Sequence, residues 1–315
     1  MRGGVSVNQQ PAVPSTSGLE EYQRLLGLLD ERRFDEALVR ARVLLETGEV
    51  GGLVRARTHN LLCWTFIEGL KQAAPEAALH GEEAVHLAGA LGERPLQLQA
   101  MCNLASAYYQ TGDYDRARQT YQEIIAHLTR DRSLVPCGLV IAHKGLAHLA
   151  LVQGQYEEAL RHLQTAQSHC VDEESRFLLS DLYRRQALVL LKLERSEEAA
   201  QAMSRISDDA YSSGPRSLWW KTHLSFTRAR VELALGHWGQ ARSLGLNTLA
   251  LARELSDLPV LAEATCLLAL AEAAEGRKEA GKRARRAITF AIHSGRRDVV
   301  TDVRERLKDL LASEL

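Results

Sequence analysis

The densest concentration of one charge in the sequence is a basic run near its C-terminus. Residues 277–297 contain a single acid, Glu279, and eight cations: Arg277, Lys278, Lys282, Arg283, Arg285, Arg286, Arg296 and Arg297. Cations spread along a helix and its turn can bind phosphate groups, such as those of nucleic acid. The competing interpretation is a solvated helix face that later acids partly neutralise: Asp298, Asp302, Glu305 and Asp309.

Direct nucleic-acid binding is the minor alternative for this run. Base-stacking aromatics are not interleaved with the cations, and Phe290 stands at a position expected in the core. If a nucleic-acid patch forms, we expect it to use Lys282, Arg283, Arg285 and Arg286.

Catalytic chemistry has no support in the spacing of reactive residues. The sequence lacks GxxxxGK[ST], GxGxxG, GxSxG and HExxH motifs. The eleven histidines are scattered, and His143 and His148 miss the spacing of a metal pair on one helix face. We therefore predict a protein that is not an enzyme and uses no cofactor or metal.

The composition is typical of a helical protein with a full hydrophobic core and no large net charge. Hydrophobic residues make up 45% of the chain, aromatics only 5%, and 39 Lys and Arg balance 40 Asp and Glu.

The five cysteines form no CxxC pair, which predicts buried, reduced thiols in a cytoplasmic protein. Residues 1–18 are rich in Gly, Pro and Ser and predict a disordered tail. No apolar run reaches the length of a membrane span, so we expect no membrane association.

A helix–turn–helix unit recurs along the chain. Residues 103–117 predict the end of one helix, a tight turn at Gly112 and the start of a second helix that buries Ala117. The marker alanines of the copies are Ala37, Ala78, Ala117, Ala159, Ala199, Ala241 and Ala280. Their intervals of 41, 39, 42, 40, 42 and 39 residues predict about seven stacked helical hairpins.

The unit resembles the tetratricopeptide repeat (TPR) over residues 19–296. The resemblance rests on Leu104, Ala105, Tyr108, Gly112, Tyr114, Ala117 and Tyr121. The units exceed the usual length of about 34 residues, as in the TPR regions of bacterial transcription activators and peptide-pheromone sensors. The resemblance implies an all-α fold, a right-handed α-solenoid, in a protein that we expect to be bacterial. Residues 297–315 predict a capping helix, because Val299, Val303 and Leu307 form one apolar stripe.

The resemblance also implies that the first helix of each hairpin lines a concave groove. In the family's register the groove residues are Asn60, Asn103, Lys144, His148, Arg184, Arg185 and Arg230. Amides can pair with an extended peptide and guanidinium groups with carboxylates, so we expect an acidic or C-terminal peptide segment as the partner. The alternatives are that Asn103 bonds to a neighbouring helix and that Arg184 and Arg185 pair with Asp181 and Glu174.

The sequence thus predicts a non-enzymatic protein-binding or peptide-binding module with a regulatory or scaffolding role. Self-association is a further option, because one side chain of the pair Trp219–Trp220 could be exposed. We favour the alternative that both are buried between units.

Overall fold

The computed structural model describes residues 18–31, 33–46, 50–69, 74–130, 136–170, 176–207 and 217–312. The predicted tail (apart from Gly18), most of the polar loop predicted at 207–214 and the side chain of Cys137 lie outside the described residues.

All regular secondary structure in the described residues is helical, and it comprises fifteen helices. They are α1 (Gly18–Asp30), α2 (Phe34–Glu46), α3 (Gly52–Gly69), α4 (Ala74–Ala90), α5 (Arg94–Thr111), α6 (Tyr114–Arg130), α7 (Pro136–Val152), α8 (Tyr156–Ser168), α9 (Arg176–Lys192), α10 (Ser196–Ser204), α11 (Ser217–Ala234), α12 (Trp238–Glu254), α13 (Leu258–Ala274), α14 (Ala280–His293) and α15 (Arg297–Ala312). They form seven successive hairpins and a final helix, so the predicted all-α class of stacked helical hairpins is confirmed.

The chain divides into two compact units. Unit 1 spans Met1–Leu134 and contains α1 to α6, and unit 2 spans Val135–Leu315 and contains α7 to α15. In unit 1 the first helices α1, α3 and α5 contact one another in succession. In unit 2 the same holds for α9, α11, α13 and α15. The surface that these helices share with α7 is called the first-helix face of unit 2.

The turns inside the hairpins use left-handed backbone, as the repeat predicts. Gly112 has φ 81°, and the N–H of Asp113 donates to the Tyr108 carbonyl at 2.9 Å. This pattern satisfies the last carbonyls of α5 and reverses the chain. In the α9–α10 hairpin, Glu194 takes φ 59° without the freedom of glycine.

Small residues let the two helices of a hairpin approach closely. The marker alanines of six hairpins are at most 4% exposed: Ala37, Ala117, Ala159, Ala199, Ala241 and Ala280. In the α3–α4 hairpin the marker Ala78 was wrong by one position, because Ala77 is the buried residue at 0% exposure. Four residues after Ala241 stands Gly245, where a Cβ would come within 2.9 Å of Leu268 Cδ2. Substitution there would push α12 away from α13.

Helix α15 ends the stack with the predicted apolar stripe. Val299, Val303 and Leu307 are at most 3% exposed and pack in one cluster with Ala262 and Cys266 of α13. This packing fixes the rotation of α15 and carries its polar residues Asp302 and Arg306 towards α11 and α13.

Candidate functional site

A cluster of charged side chains lies on α7 and α9, at the first-helix face of unit 2. We call it the cationic cluster: Lys144, His148, Asp181, Arg184 and Arg185. The three α9 members share one helix face because they are three and four residues apart. Asp181 Oδ1 accepts from Arg184 Nη2 at 2.7 Å, and Oδ2 accepts from Arg185 Nε at 2.8 Å. The carboxylate is therefore held by two guanidinium groups.

His148 joins α7 to α9 through Arg185. Arg185 Nη1 donates to His148 Nε2 at 2.9 Å, so this nitrogen must be the unprotonated one. Burial, and then the charge of Arg185, lower the pKa of His148 to about 3. At neutral pH His148 is therefore an uncharged acceptor that orients Arg185.

Positive charge exceeds negative charge in the cationic cluster. Burial alone would raise the pKa of Asp181, but Arg185, Arg184 and Lys144 hold it well below its usual range. One ionised carboxylate thus faces three cations, Lys144, Arg184 and Arg185, while His148 stays neutral. Arg184 is only 5% exposed. A positive excess at such low exposure is screened less than surface charge and attracts anions.

Trp219 borders this cluster, while Trp220 belongs to the core. The Arg184 guanidinium lies 5.9 Å from the centre of the Trp219 ring, and the centre of the tilted His223 ring lies 4.2 Å from that of Trp219. Trp219 is 36% exposed, whereas Trp220 is 1% exposed and packs edge-on against Phe177. The favoured prediction that both indoles are buried was therefore wrong. Successive residues of a helix point about 100° apart, so only one faces the core.

Arg230 lies in a second polar group on the same face of unit 2. We call it the mixed cluster: Arg230 of α11, Glu263 of α13, and Asp302 and Arg306 of α15. Asp302 accepts from Arg306 at 3.3 Å and pairs with Lys192 of α9 at 3.6 Å. The Arg230 guanidinium lies 5.7 Å from the Phe226 ring centre. Sequence reasoning identified Arg230 but missed the other three, which come from helices 33 and more residues later.

Asn60 and Asn103 lie together in unit 1. Asn103 Nδ2 donates to Asn60 Oδ1 at 2.9 Å, which joins α3 to α5. Asn60 is 7% exposed. The alternative interpretation, in which Asn103 bonds to a neighbouring helix, describes this arrangement. The bond uses one donor of Asn103 and one acceptor of Asn60.

Three of the eight cations in the basic run of residues 277–297 pair with acids of the described residues. Arg283 donates to Glu272 at 2.7 Å, Arg277 pairs with Glu275, and Arg296 pairs with Asp298. Lys282, Arg285 and Arg286 are exposed on α14, where Arg286 lies over the Phe290 ring at 5.3 Å. Much of the neutralisation comes from α13 and the following turn, which precede the run; we expected it from α15.

Two pairs of histidines occupy equivalent places in different hairpins. The Nδ1 atoms of His59 and His80 are 3.0 Å apart, and those of His143 and His162 are 3.2 Å apart. In each pair the first residue is the eighth of its helix and the second is the seventh. Burial lowers the pKa of His80 and of His143 to about 4, so these two histidines are neutral at pH 7. The prediction of scattered histidines considered only spacing within one helix.

The buried thiols of Cys63 and Cys266 are poorly reactive. Burial raises the pKa of the Cys63 thiol to about 12 and that of Cys266 to about 11, which suppresses the reactive thiolates. No set of three or more His, Cys, Asp or Glu side chains within the described ranges could hold a metal ion. Across the same ranges, no helix is long and apolar enough to span a membrane.

The fold and the site define a helical-repeat protein whose first helices present polar groups on a shared face. Residues 98–123 and 142–165 match the family model of the tetratricopeptide repeat. These stretches lie in the α5–α6 and α7–α8 hairpins, so the repeat that the turns and the buried alanines predicted is found in these two units. No curated protein matches the sequence.

Solved structures share this fold at low identity. The apo form of the quorum sensor NprR from B. thuringiensis is 16% identical with a TM-score of 0.69, over 87% of this chain and 76% of NprR. Apo RapI is 12% identical with a TM-score of 0.65, over 93% of this chain and 99% of RapI. A Rap protein complexed with competence and sporulation factor is 17% identical with a TM-score of 0.51, over 96% and 78% of the two chains. At such identities the likeness establishes the fold.

Proposed function

We propose that the protein is a non-enzymatic binding module that holds an acidic peptide or protein segment on the first-helix face of unit 2. The observation that carries this proposal is the excess of cations over carboxylates in the cationic cluster. A buried ion pair with balanced charge would serve packing alone. Within the described residues two guanidinium groups share the single carboxylate of Asp181, which leaves donors for a further anion.

The contacts in the cluster suit a carboxylate. Arg185 is held by Asp181 and His148 on α9 and α7, so its guanidinium is oriented before a ligand arrives. Pre-organised groups lose less conformational entropy on binding. The exposed Trp219 ring adds apolar area beside the charges, as binding hot spots commonly do. An Asp or Glu side chain, or a C-terminal carboxylate, is the ligand group that this arrangement favours.

The similar structures support the same kind of partner. NprR is a quorum sensor, and one similar Rap protein was solved with competence and sporulation factor. We further propose that the protein has a regulatory or scaffolding role in the cytoplasm. We also retain the division into a tail (1–18), a repeat region (19–296) and a capping helix (297–315).

A selection from a randomised hexapeptide pool tests the proposal. The protein is immobilised, and retained peptides are identified by mass spectrometry at about 150 mM salt, where exposed charges are screened beyond about 8 Å. We expect enrichment of Asp and Glu over the input pool. The double variant Lys144→Gln, Arg185→Gln should lose this enrichment. The control Arg161→Gln, an exposed residue of α8, should keep it. Retention without acidic enrichment, or enrichment that survives the double variant, would contradict the proposal.

A further inference from the structure

The histidine pair of the α7–α8 hairpin holds two imidazole nitrogens at the spacing of metal ligands. His143 Nδ1 on α7 and His162 Nδ1 on α8 are 3.2 Å apart. A transition metal binds an imidazole nitrogen at about 2.0–2.1 Å, so two such ligands lie about 2.9 Å apart at a right angle and about 3.3 Å apart at the tetrahedral angle. The observed distance falls between these limits. The two nitrogens that share one hydrogen bond can therefore share one ion instead.

A carboxylate stands behind one ring of this pair. Glu158, one turn before His162 on α8, has Oε1 at 3.8 Å from His162 Nε2. A carboxylate at the outer nitrogen favours the tautomer with its proton on Nε2, which leaves the Nδ1 lone pair directed at His143. Metal-binding histidines commonly have such a carboxylate behind them. The His162 side chain is also 24% exposed, so water can reach the space beside the two nitrogens.

The equivalent pair in the α3–α4 hairpin has the same spacing in a more positive setting. His59 Nδ1 and His80 Nδ1 are 3.0 Å apart. After burial, the charge of Arg55 lowers the pKa of His59, while burial, His59 and then Arg42 lower that of His80, which Glu76 raises. Two guanidinium groups thus stand against one carboxylate and oppose the uptake of a cation. A carboxylate, by contrast, borders the α7–α8 pair.

We propose that His143 and His162 bind one divalent transition-metal ion, of the class of Cu²⁺, Ni²⁺ or Zn²⁺, through their Nδ1 atoms. Within the described ranges no third His, Cys, Asp or Glu side chain completes a set, so the arrangement is not the closed four-ligand site of structural zinc. Water fills the other positions, as ions that accept nitrogen and oxygen ligands together allow. Both rings stay neutral, because the proton between them moves to the outer nitrogen of its own ring. The bound ion joins α7 to α8, and this inference does not depend on the peptide site.

Isothermal titration calorimetry with Ni²⁺, which does not oxidise thiols, tests the assignment. Wild-type protein should bind one Ni²⁺ per chain, and Mg²⁺ at the same concentration should not bind, because Mg²⁺ prefers oxygen ligands. His143→Gln and His162→Gln should each lose this binding. Glu158→Gln should weaken it on the order of tenfold, since loss of a carboxylate behind a ligand costs about 10-fold to 100-fold in metal affinity. The controls His59→Gln and His127→Gln, the latter an exposed residue of α6, should keep it.

The wild-type comparison of Ni²⁺ with Mg²⁺ needs no variant, and circular dichroism verifies that the variants are folded. Ni²⁺ should also raise the Tm of the wild type, because an ion that binds only the folded hairpin stabilises it. Absence of saturable Ni²⁺ binding would overturn the site. Binding that both His143→Gln and His162→Gln retain would reveal an adventitious ion only and would overturn it as well. Loss of the binding in His59→Gln alone would place the ion at the α3–α4 pair and contradict the assignment.

Discussion

The cationic cluster on α7 and α9 and the basic run of residues 277–297 contain the same kinds of side chain in different settings. In the cluster, Arg184 is 5% exposed, and Arg184 and Arg185 share the single carboxylate of Asp181. In the run, Arg277, Arg283 and Arg296 each have an acid of their own, and several other cations face solvent. The sequence run is the longer of the two and contains more cations, yet the cluster holds its excess of positive charge in a partly desolvated place.

This difference shows that the density of cations along a sequence does not measure the strength of a binding site. Exposed pairs are screened by water and salt and contribute little. Buried charges interact strongly but must be compensated, so removal of one partner is costly. The comparison can be tested by removing one carboxylate from each region and by measuring how stability depends on pH. We expect the effect of pH to be intermediate in size.

The largest effect should follow Asp181→Asn in the cationic cluster. The substitution leaves the buried Arg184 and the half-buried Arg185 without their shared carboxylate, so we expect a loss of about 3–5 kcal/mol in the free energy of unfolding. Urea denaturation followed by circular dichroism measures this loss. A loss below about 1 kcal/mol would mean that Asp181 contributes no more to stability than a surface carboxylate does.

The pH dependence of stability should be next in size. The folded pKa of His148 lies at about 3, below the value of about 6.5 for an unfolded histidine. The unfolded chain therefore takes up the proton first, and stability is lost as the pH falls from about 6.5 towards 3. One such group contributes a slope of at most about 1.4 kcal/mol per pH unit.

The variant His148→Gln isolates this contribution, because an amide keeps an acceptor for Arg185 but does not titrate. Thermal melts between pH 7 and pH 4 should show a shallower loss of stability for the variant than for the wild type. Parallel curves would show that His148 is not the buried neutral group that links α7 to α9.

The smallest effect should follow Asp298→Asn in the basic run. Asp298 pairs with Arg296 at the surface, and its side chain is 65% exposed. We expect a change of less than about 1 kcal/mol in the free energy of unfolding. The same urea titration applies, and a loss as large as that of Asp181→Asn would remove the distinction between the two regions.

Most of the fold could be predicted from the sequence because it repeats a local signal. Glycines such as Gly112 and Gly154, followed four or five residues later by a buried alanine, mark every clear turn. Helix α6 begins at Tyr114, directly after the turn predicted at Gly112. The error at Ala78 arose because Pro75 and its neighbours replace the glycine turn there, which leaves the register open by one residue.

The site could be predicted only where its residues share one helix. Arg184 and Arg185 on α9 were predicted for the first-helix face, and their pairing with Asp181 stood as the alternative. Contacts between distant helices were missed, because helical spacing gives the face of a residue but not its neighbours on other helices. The charged neighbours of Arg230, namely Glu263, Asp302 and Arg306, belong to this class, as do the histidine pairs.

The central claim is that the cationic cluster, and not the basic run, binds an acidic segment. Fluorescence anisotropy of hexaglutamate with a dye on an added C-terminal lysine tests it with two matched double variants. We predict that Lys144→Gln, Arg185→Gln weakens binding on the order of tenfold or more, as loss of charge-assisted hydrogen bonds should. Arg285→Gln, Arg286→Gln on α14 should leave the affinity unchanged. Loss of binding in the α14 variant with normal binding in the first variant, or no binding by wild type, would contradict the account.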